Sequence, residues 1–259
     1  MRNIAAIVER ELRAYFNSPI AYVVLTMFVF LSGIFFRSIL SQVLQMGLMS
    51  QMQAQQLGPR PMDMPGMISR GFLSTMSVIL LFIMPMLTMG LFSEEKKRGT
   101  IELLLTAPLT DAEVVLGKFF AAGAFYVILL LSTWIPMAVL YLYGSPASGP
   151  ILTAYLGLLL YGLAILAVGL FVSTLTENQI IAAILSFGTI MVLWLVDVVA
   201  QNAESPTSKG VLTYLSILSH LDDFMKGVLS SSNVIFYLSL MLVALFLTYR
   251  SIDSLRWRG

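Results

Sequence analysis

Six stretches of this chain are nearly free of charge and each approaches or exceeds the roughly 20 residues that a helix needs to cross a bilayer. They run from Ile20 to Leu40, Phe72 to Phe92, Phe119 to Tyr143, Ile151 to Ser173, Gln179 to Ala200 and Val234 to Arg250. Lipid offers backbone N–H and C=O groups no partner, so each stretch must satisfy its own hydrogen bonds as a helix. The expected fold class is therefore an all-α membrane protein with six transmembrane helices. Composition removes the soluble alternative. Of 259 residues 58% are hydrophobic and only 11% charged, at a mean hydropathy of +0.87. A water-soluble fold could not cover that much apolar surface with so few charges. The net charge of +1 gives no reason to expect nucleic acid as a partner. The absence of cysteine excludes disulfides, thiolate nucleophiles and cysteine-based metal sites.

Start signals support this division. Ser18-Pro19 predicts an N-cap with proline at the first helical position, and Gly149-Pro150 opens the fourth span in a similar way. Thr176 to Gln179 and Thr110 to Glu113 have capping-box spacing. Pro85 and Pro136 fall inside spans and predict kinks, because each removes a backbone hydrogen bond. The N-terminal residues carry Arg2, Glu9, Arg10, Glu11 and Arg13 and no cleavable apolar core, so the first span is expected to act as its own anchor.

Lysine and arginine set the expected orientation. With the N-terminus inside, the inner side holds Arg2, Arg10, Arg13, Lys96, Lys97, Arg98, Lys118, Arg250, Arg256 and Arg258. The outer side holds Arg37, Arg60, Arg70, Lys209 and Lys226. Ten against five puts both termini in the cytoplasm. Within 1–17, Ile4, Ile7, Val8, Leu12, Tyr15 and Phe16 gather near one helical face, which predicts a helix lying in the inner interface against membrane lipid. Ser41 to Arg70 reads as an outer loop rich in Met and Gln with a turn at Gly58-Pro59-Arg60-Pro61. Its methionines are expected to make adaptable apolar contacts rather than to hold a soft metal.

The densest charge run lies between spans two and three, SEEKKRGTIELLLTAPLTDAEVVLGKFF from Ser93 to Phe120. Gly99-Thr100 can end the charged run and cap a short helix. Glu102 then sits in its first turn, where a carboxylate favours the positive helix end. Ile101, Leu104 and Leu105 make one apolar face, and Pro108 ends it. An exposed apolar face on so short an element either fills a partner's groove or packs on its own membrane domain. Physics alone leaves both open.

This segment resembles the signature of type-2 ABC transporter permeases, with the gliding-motility-type branch the nearest match. The matching residues are Ser93-Glu94-Glu95, Gly99-Thr100-Ile101-Glu102, Leu104-Leu105-Thr106, Pro108 and Gly117-Lys118. Asn17 to Tyr22, Thr174 to Gln179 and Leu218 to Gly227 resemble further parts of that pattern in the same order, and Ala107 departs from it by replacing a serine. The resemblance implies a single permease domain over 1–259, in the inner membrane of a prokaryote. It also implies a dimer with a second copy or a similar permease, and a separate cytoplasmic ABC ATPase that binds the ATP and Mg. The loop over 93–117 would dock in that ATPase through Glu95, Arg98, Gly99, Thr100, Glu102, Leu104, Leu105 and Pro108. The segment over 201–231 would form short outer re-entrant helices, with room for an outer auxiliary subunit beyond them.

No catalytic residue is expected. The nearest trace of a P-loop, Gly117-Lys118, has Ala112 where the first glycine belongs and Phe119 where a Ser or Thr belongs. His220 is the only histidine. With Asp222 and Asp223 beside it, a pH or metal role is conceivable, but a lone histidine lacks a ligand set, and local hydrogen bonding is the favoured reading. Arg37 and Asp197 lie near the outer ends of spans one and five, where they either snorkel or pair within or between subunits. An ionisable residue at mid-span is nearly absent, which disfavours proton-coupled transport. An intramembrane enzyme would need a serine–histidine pair, a zinc-binding histidine pair or a carboxylate dyad within the spans. A passive channel or scaffold would not explain the capped loop helix.

Overall fold

A computed structural model describes residues 2–57, 63–101, 109–202 and 205–256. Within them every regular element is a helix. They are α1 (Arg2–Asn17), α2 (Pro19–Leu57), α3 (Met64–Thr88), α4 (Ser93–Lys97), α5 (Asp111–Ser132), α6 (Trp134–Tyr143), α7 (Ser148–Ser173), α8 (Gln179–Gln201), α9 (Pro206–Leu215), α10 (Ile217–Met225) and α11 (Ser231–Arg256). Six helical runs are long and apolar enough to cross a membrane: α2, α3 with α4, α5 with α6, α7, α8 and α11.

Helix α7 is the axis of the bundle. It packs against α11, α3, α10, α8 and α5, and 72% of its most apolar window is buried, against 17% for α8 and 22% for α2. Small residues allow this. A Cβ on Gly162 would lie 2.2 Å from the Tyr126 ring, and one on Gly169 would lie 2.2 Å from the Thr88 hydroxyl. Tyr161 donates from the same helix to the Ser77 carbonyl at 3.2 Å, so the apolar core also carries satisfied polar groups. Helices α2 and α8 are peripheral and present Val23, Phe30, Ile184 and Val192 outward.

Several local expectations change. The outer loop expected over Ser41 to Arg70 is largely helix: α2 continues to Leu57 and α3 already starts at Met64. At about 1.5 Å per residue, the 39 residues of α2 span roughly 58 Å, about twice the hydrocarbon core. Hydropathy falls after Leu40, but Gln, Met, Leu and Ala remain good helix formers. Asp63 starts α3 by accepting from the Gly66 N–H at 3.0 Å. The expected box at Thr176 to Gln179 is replaced by an Asn178 cap, whose Oδ1 accepts from the Ile180 N–H at 2.9 Å. The Thr110–Glu113 box is present in both directions. Pro136 acts one turn upstream: the helix breaks at Thr133 between α5 and α6, where the proline would have collided with the preceding turn. Pro85 stays inside α3, which ends three residues later.

Candidate functional site

The two ends of the bundle are built differently. At the α1 end, Lys118 near the start of α5 is 1% exposed. Its ammonium lies 3.2 Å from Glu11 Oε1 on α1 and 2.9 Å from Glu95 Oε1 on α4. Arg10 adds contacts of 2.6 Å to Glu11 and 3.6 Å to Glu95. The Phe92 ring centroid sits 5.2 Å from the same ammonium. Two cations and two carboxylates thus form a neutral cluster shared by three helices. Buried charge survives only when compensated in this way. Burial pushes the Glu11 carboxyl up, but the Lys118 charge and the Arg10 contacts outweigh it and hold the group below its ordinary range.

Apolar contacts also fasten α1. Ile7 covers Gly117 so closely that a Cβ there would lie 2.6 Å from its side chain. Tyr15 stacks on Phe125 at 5.5 Å. The opposite side of α1 stays open: Ile4, Val8, Leu12, Phe16 and Phe120 line an apolar groove of about 800 Å³. Helix α4 ends at Arg98, followed by Gly99 at φ 68°, a left-handed conformation that glycine adopts without a Cβ penalty. Thr100 then donates to the Glu95 carbonyl at 3.4 Å. Lys96 reaches the Thr174 carbonyl at the end of the α7 helix.

These positions sort the residues named from sequence. Arg98, Gly99 and Thr100 are exposed at the head of the loop. Glu95 points inward onto Lys118 rather than outward. Glu102, Leu104, Leu105 and Pro108 lie outside the described residues. Sequence reasoning missed Lys118 and Glu11 as partners of Glu95. A charged residue just inside an apolar span was the available signal.

At the α10 end the ties are separate hydrogen bonds rather than one shared ion cluster. His220 is buried and stacks on Phe236 at 4.1 Å. Its Nδ1 bonds with Asn233 Oδ1 at 2.7 Å and its Nε2 with the Tyr214 carbonyl at 3.0 Å. Asn233 in turn donates to Asp223 at 2.9 Å. Asp222 pairs with Lys226 one turn on. His220 therefore ties α9, α10 and α11 together. Asp197 Oδ1 accepts from Ser216 at 2.8 Å and Ser219 at 2.7 Å. The described residues contain no Arg37–Asp197 ion pair within the chain: α2 packs chiefly on α3, and α8 packs on α9, α7 and α3. A cavity of about 620 Å³ with mixed walls opens here, lined by Asp197, Lys209, Thr213 and Asp222 and also by Leu218 and Met225.

A family model described as "ABC-2 family transporter protein" matches residues 5–254. The chain belongs to the ABC-2 transporter family. Its curated relatives include the probable multidrug ABC transporter permease YbhR of Escherichia coli (strain K12), 28% identical over 137 residues, 52% of this chain and 37% of that protein. A second is the probable multidrug ABC transporter permease YbhS of the same organism, 32% identical over 122 residues, 46% of this chain and 32% of that protein. The matched part thus spans about a third of each relative. The chain is a multi-pass membrane protein and a transmembrane permease subunit. These relatives carry a multidrug name, which lends the gliding-motility branch no support.

Proposed function

We propose that this permease works as one half of an ATP-driven exporter. A separate cytoplasmic ABC ATPase docks at the α1 end, binds the ATP and Mg, and moves the spans through the loop that follows α4. The observation that carries this reading is the loop head: Arg98, Gly99 and Thr100 stand exposed on a base fastened to α1, α5 and the end of α7. The excess of lysine and arginine on this side supports a cytoplasmic location for it and for both termini. The apolar groove along α1 suits membrane lipid at the inner interface. The exposed apolar faces of α2 and α8 suit lipid and a second copy of the chain. The cavity at the α10 end, with charged and apolar side chains in one wall, suits an amphipathic substrate leaving on the outer side. The prokaryotic inner membrane fits relatives that come from Escherichia coli.

The test is capture of a cytoplasmic P-loop ABC ATPase, sought first in the reading frames next to this chain's own. Wild type should retain the ATPase through detergent purification. Glu102→Lys or Leu104→Asp should lose it with the membrane domain still folded. Retained capture and hydrolysis in both variants would sink the docking assignment.

A further inference from the structure

The cluster at the α1 end holds a second message, which rests on the docking reading above. Three helices meet at Lys118, but they do not depend on it equally. Helix α1 already has apolar anchorage on α5 through Ile7 over Gly117 and Tyr15 on Phe125. Helix α4, SEEKK, carries no apolar side chain of its own, and its nearest apolar anchor is Phe92, buried just before it. Among the described residues, its polar ties to α1 and α5 all run through one atom, Glu95 Oε1, which takes both Lys118 and Arg10. The other oxygen, Glu95 Oε2, is buried without a hydrogen-bond partner. The carboxylate is held on one side, by charge, at the joint between the interfacial helix and the loop that meets the ATPase.

We propose that Lys118 is a positioning residue that latches α4 to α1, so that the loop head and the interfacial helix move as one body when the ATPase pulls. The physical reason is directional. Apolar packing is tolerant of sliding, because its energy follows buried area rather than angle. A buried ammonium between two carboxylates is not, since displacing either partner leaves charge uncompensated in a dry site. Lys118 grows from the first turns of α5, so a displacement of α4 reaches span three and α1 together. The ordinary ion pairs of this end, Glu9 with Arg13 and Glu94 with Arg98, are exposed and join residues within one helix. They are screened by water and cannot do this.

The absence of native cysteine makes spin labelling direct. Labels at Glu9→Cys on α1 and Lys97→Cys on α4, both exposed, report the latch in the full chain with its ATPase. In wild type the α1–α4 distance should stay narrow and unchanged between the nucleotide-free and vanadate-trapped states. Lys118→Met should broaden it and lower the ratio of membrane-domain-stimulated to basal ATP hydrolysis by about tenfold, with ATPase capture retained. Lys118→Arg should restore both. Glu95→Gln, which leaves Lys118 its Glu11 partner, should give an intermediate distance change and guards against a folding defect in the methionine variant. A Lys118→Met distribution as narrow as wild type, or a wild-type distance that changes with nucleotide, overturns the latch. Failure of wild type to capture any ATPase overturns the docking reading instead, and the distance in the purified chain alone still decides whether Lys118 holds the two helices together.

Discussion

The α1 end and the α10 end solve the same problem with different chemistry. Each must tie short helices to the spans at the edge of an apolar bundle. The α1 end uses full charges, with Lys118, Arg10, Glu11 and Glu95 sharing one site. The α10 end uses separate hydrogen bonds rather than one shared ion cluster, with His220 on Asn233 and Tyr214, Asp197 on two serines, and the Tyr237 hydroxyl on the Ile217 carbonyl at 2.7 Å. The charged joint is concentrated on one ammonium, Lys118. The hydrogen-bonded joint is distributed, and loss of one bond leaves the others in place.

The largest effect that could break this contrast is expected from Lys118→Glu. It would gather three carboxylates in a buried site. The cost should be about 3 to 5 kcal/mol, read as lost hydrogen-exchange protection of α1 with α9 to α11 unaffected. Protection that persists in α1 would mean that its apolar contacts carry the joint. Next comes Asn233→Leu at the other end. His220 and Asp223 each lose a partner, so the expected cost is about 2 kcal/mol. Exchange should rise in α10 and the start of α11, while ATPase capture at the far end is unchanged. A loss of capture would show the two ends to be coupled rather than separate. The smallest effect comes from acid. The folded Glu11 group titrates below its ordinary value of 4.5, so its contribution is complete above that value and fades as pH falls through the depressed one. The α1–α4 label distance should therefore be constant from neutral pH to about 5 and broaden only below the ordinary carboxylate range. Broadening already near pH 6 would exclude Glu11 as the group responsible.

Local signals were readable where a few neighbouring residues settle the matter. The Thr110–Glu113 box needs only its own four residues, and it forms as spaced. The six spans follow from length and hydropathy alone. The outer extension of α2 was not readable by the same rule, because hydropathy reports solvent and not helicity. Residues beyond Leu40 leave the oily regime while keeping helix-forming side chains, and the helix runs on to Leu57. The resemblance placed Glu95 on an outward docking surface of the charged loop. Its partners, Glu11 and Lys118, stand 84 positions before it and 23 after it in the chain, and no local pattern links them. The sequence leaves Arg37 and Asp197 open between snorkelling and pairing within or between subunits, because both sit near outer ends of spans. Within the chain the fold brings Ser216 and Ser219 to Asp197.

By itself the sequence determined that the chain is helical, spans a membrane six times and carries no P-loop of its own. Those properties follow from the cost of bare backbone and charge in lipid, which is paid residue by residue along each segment. Only the tertiary structure decided which charges are surface and which are joints. That choice depends on which helices touch, and burial turns the same carboxylate from a solvated group worth little into one whose partner cannot be removed.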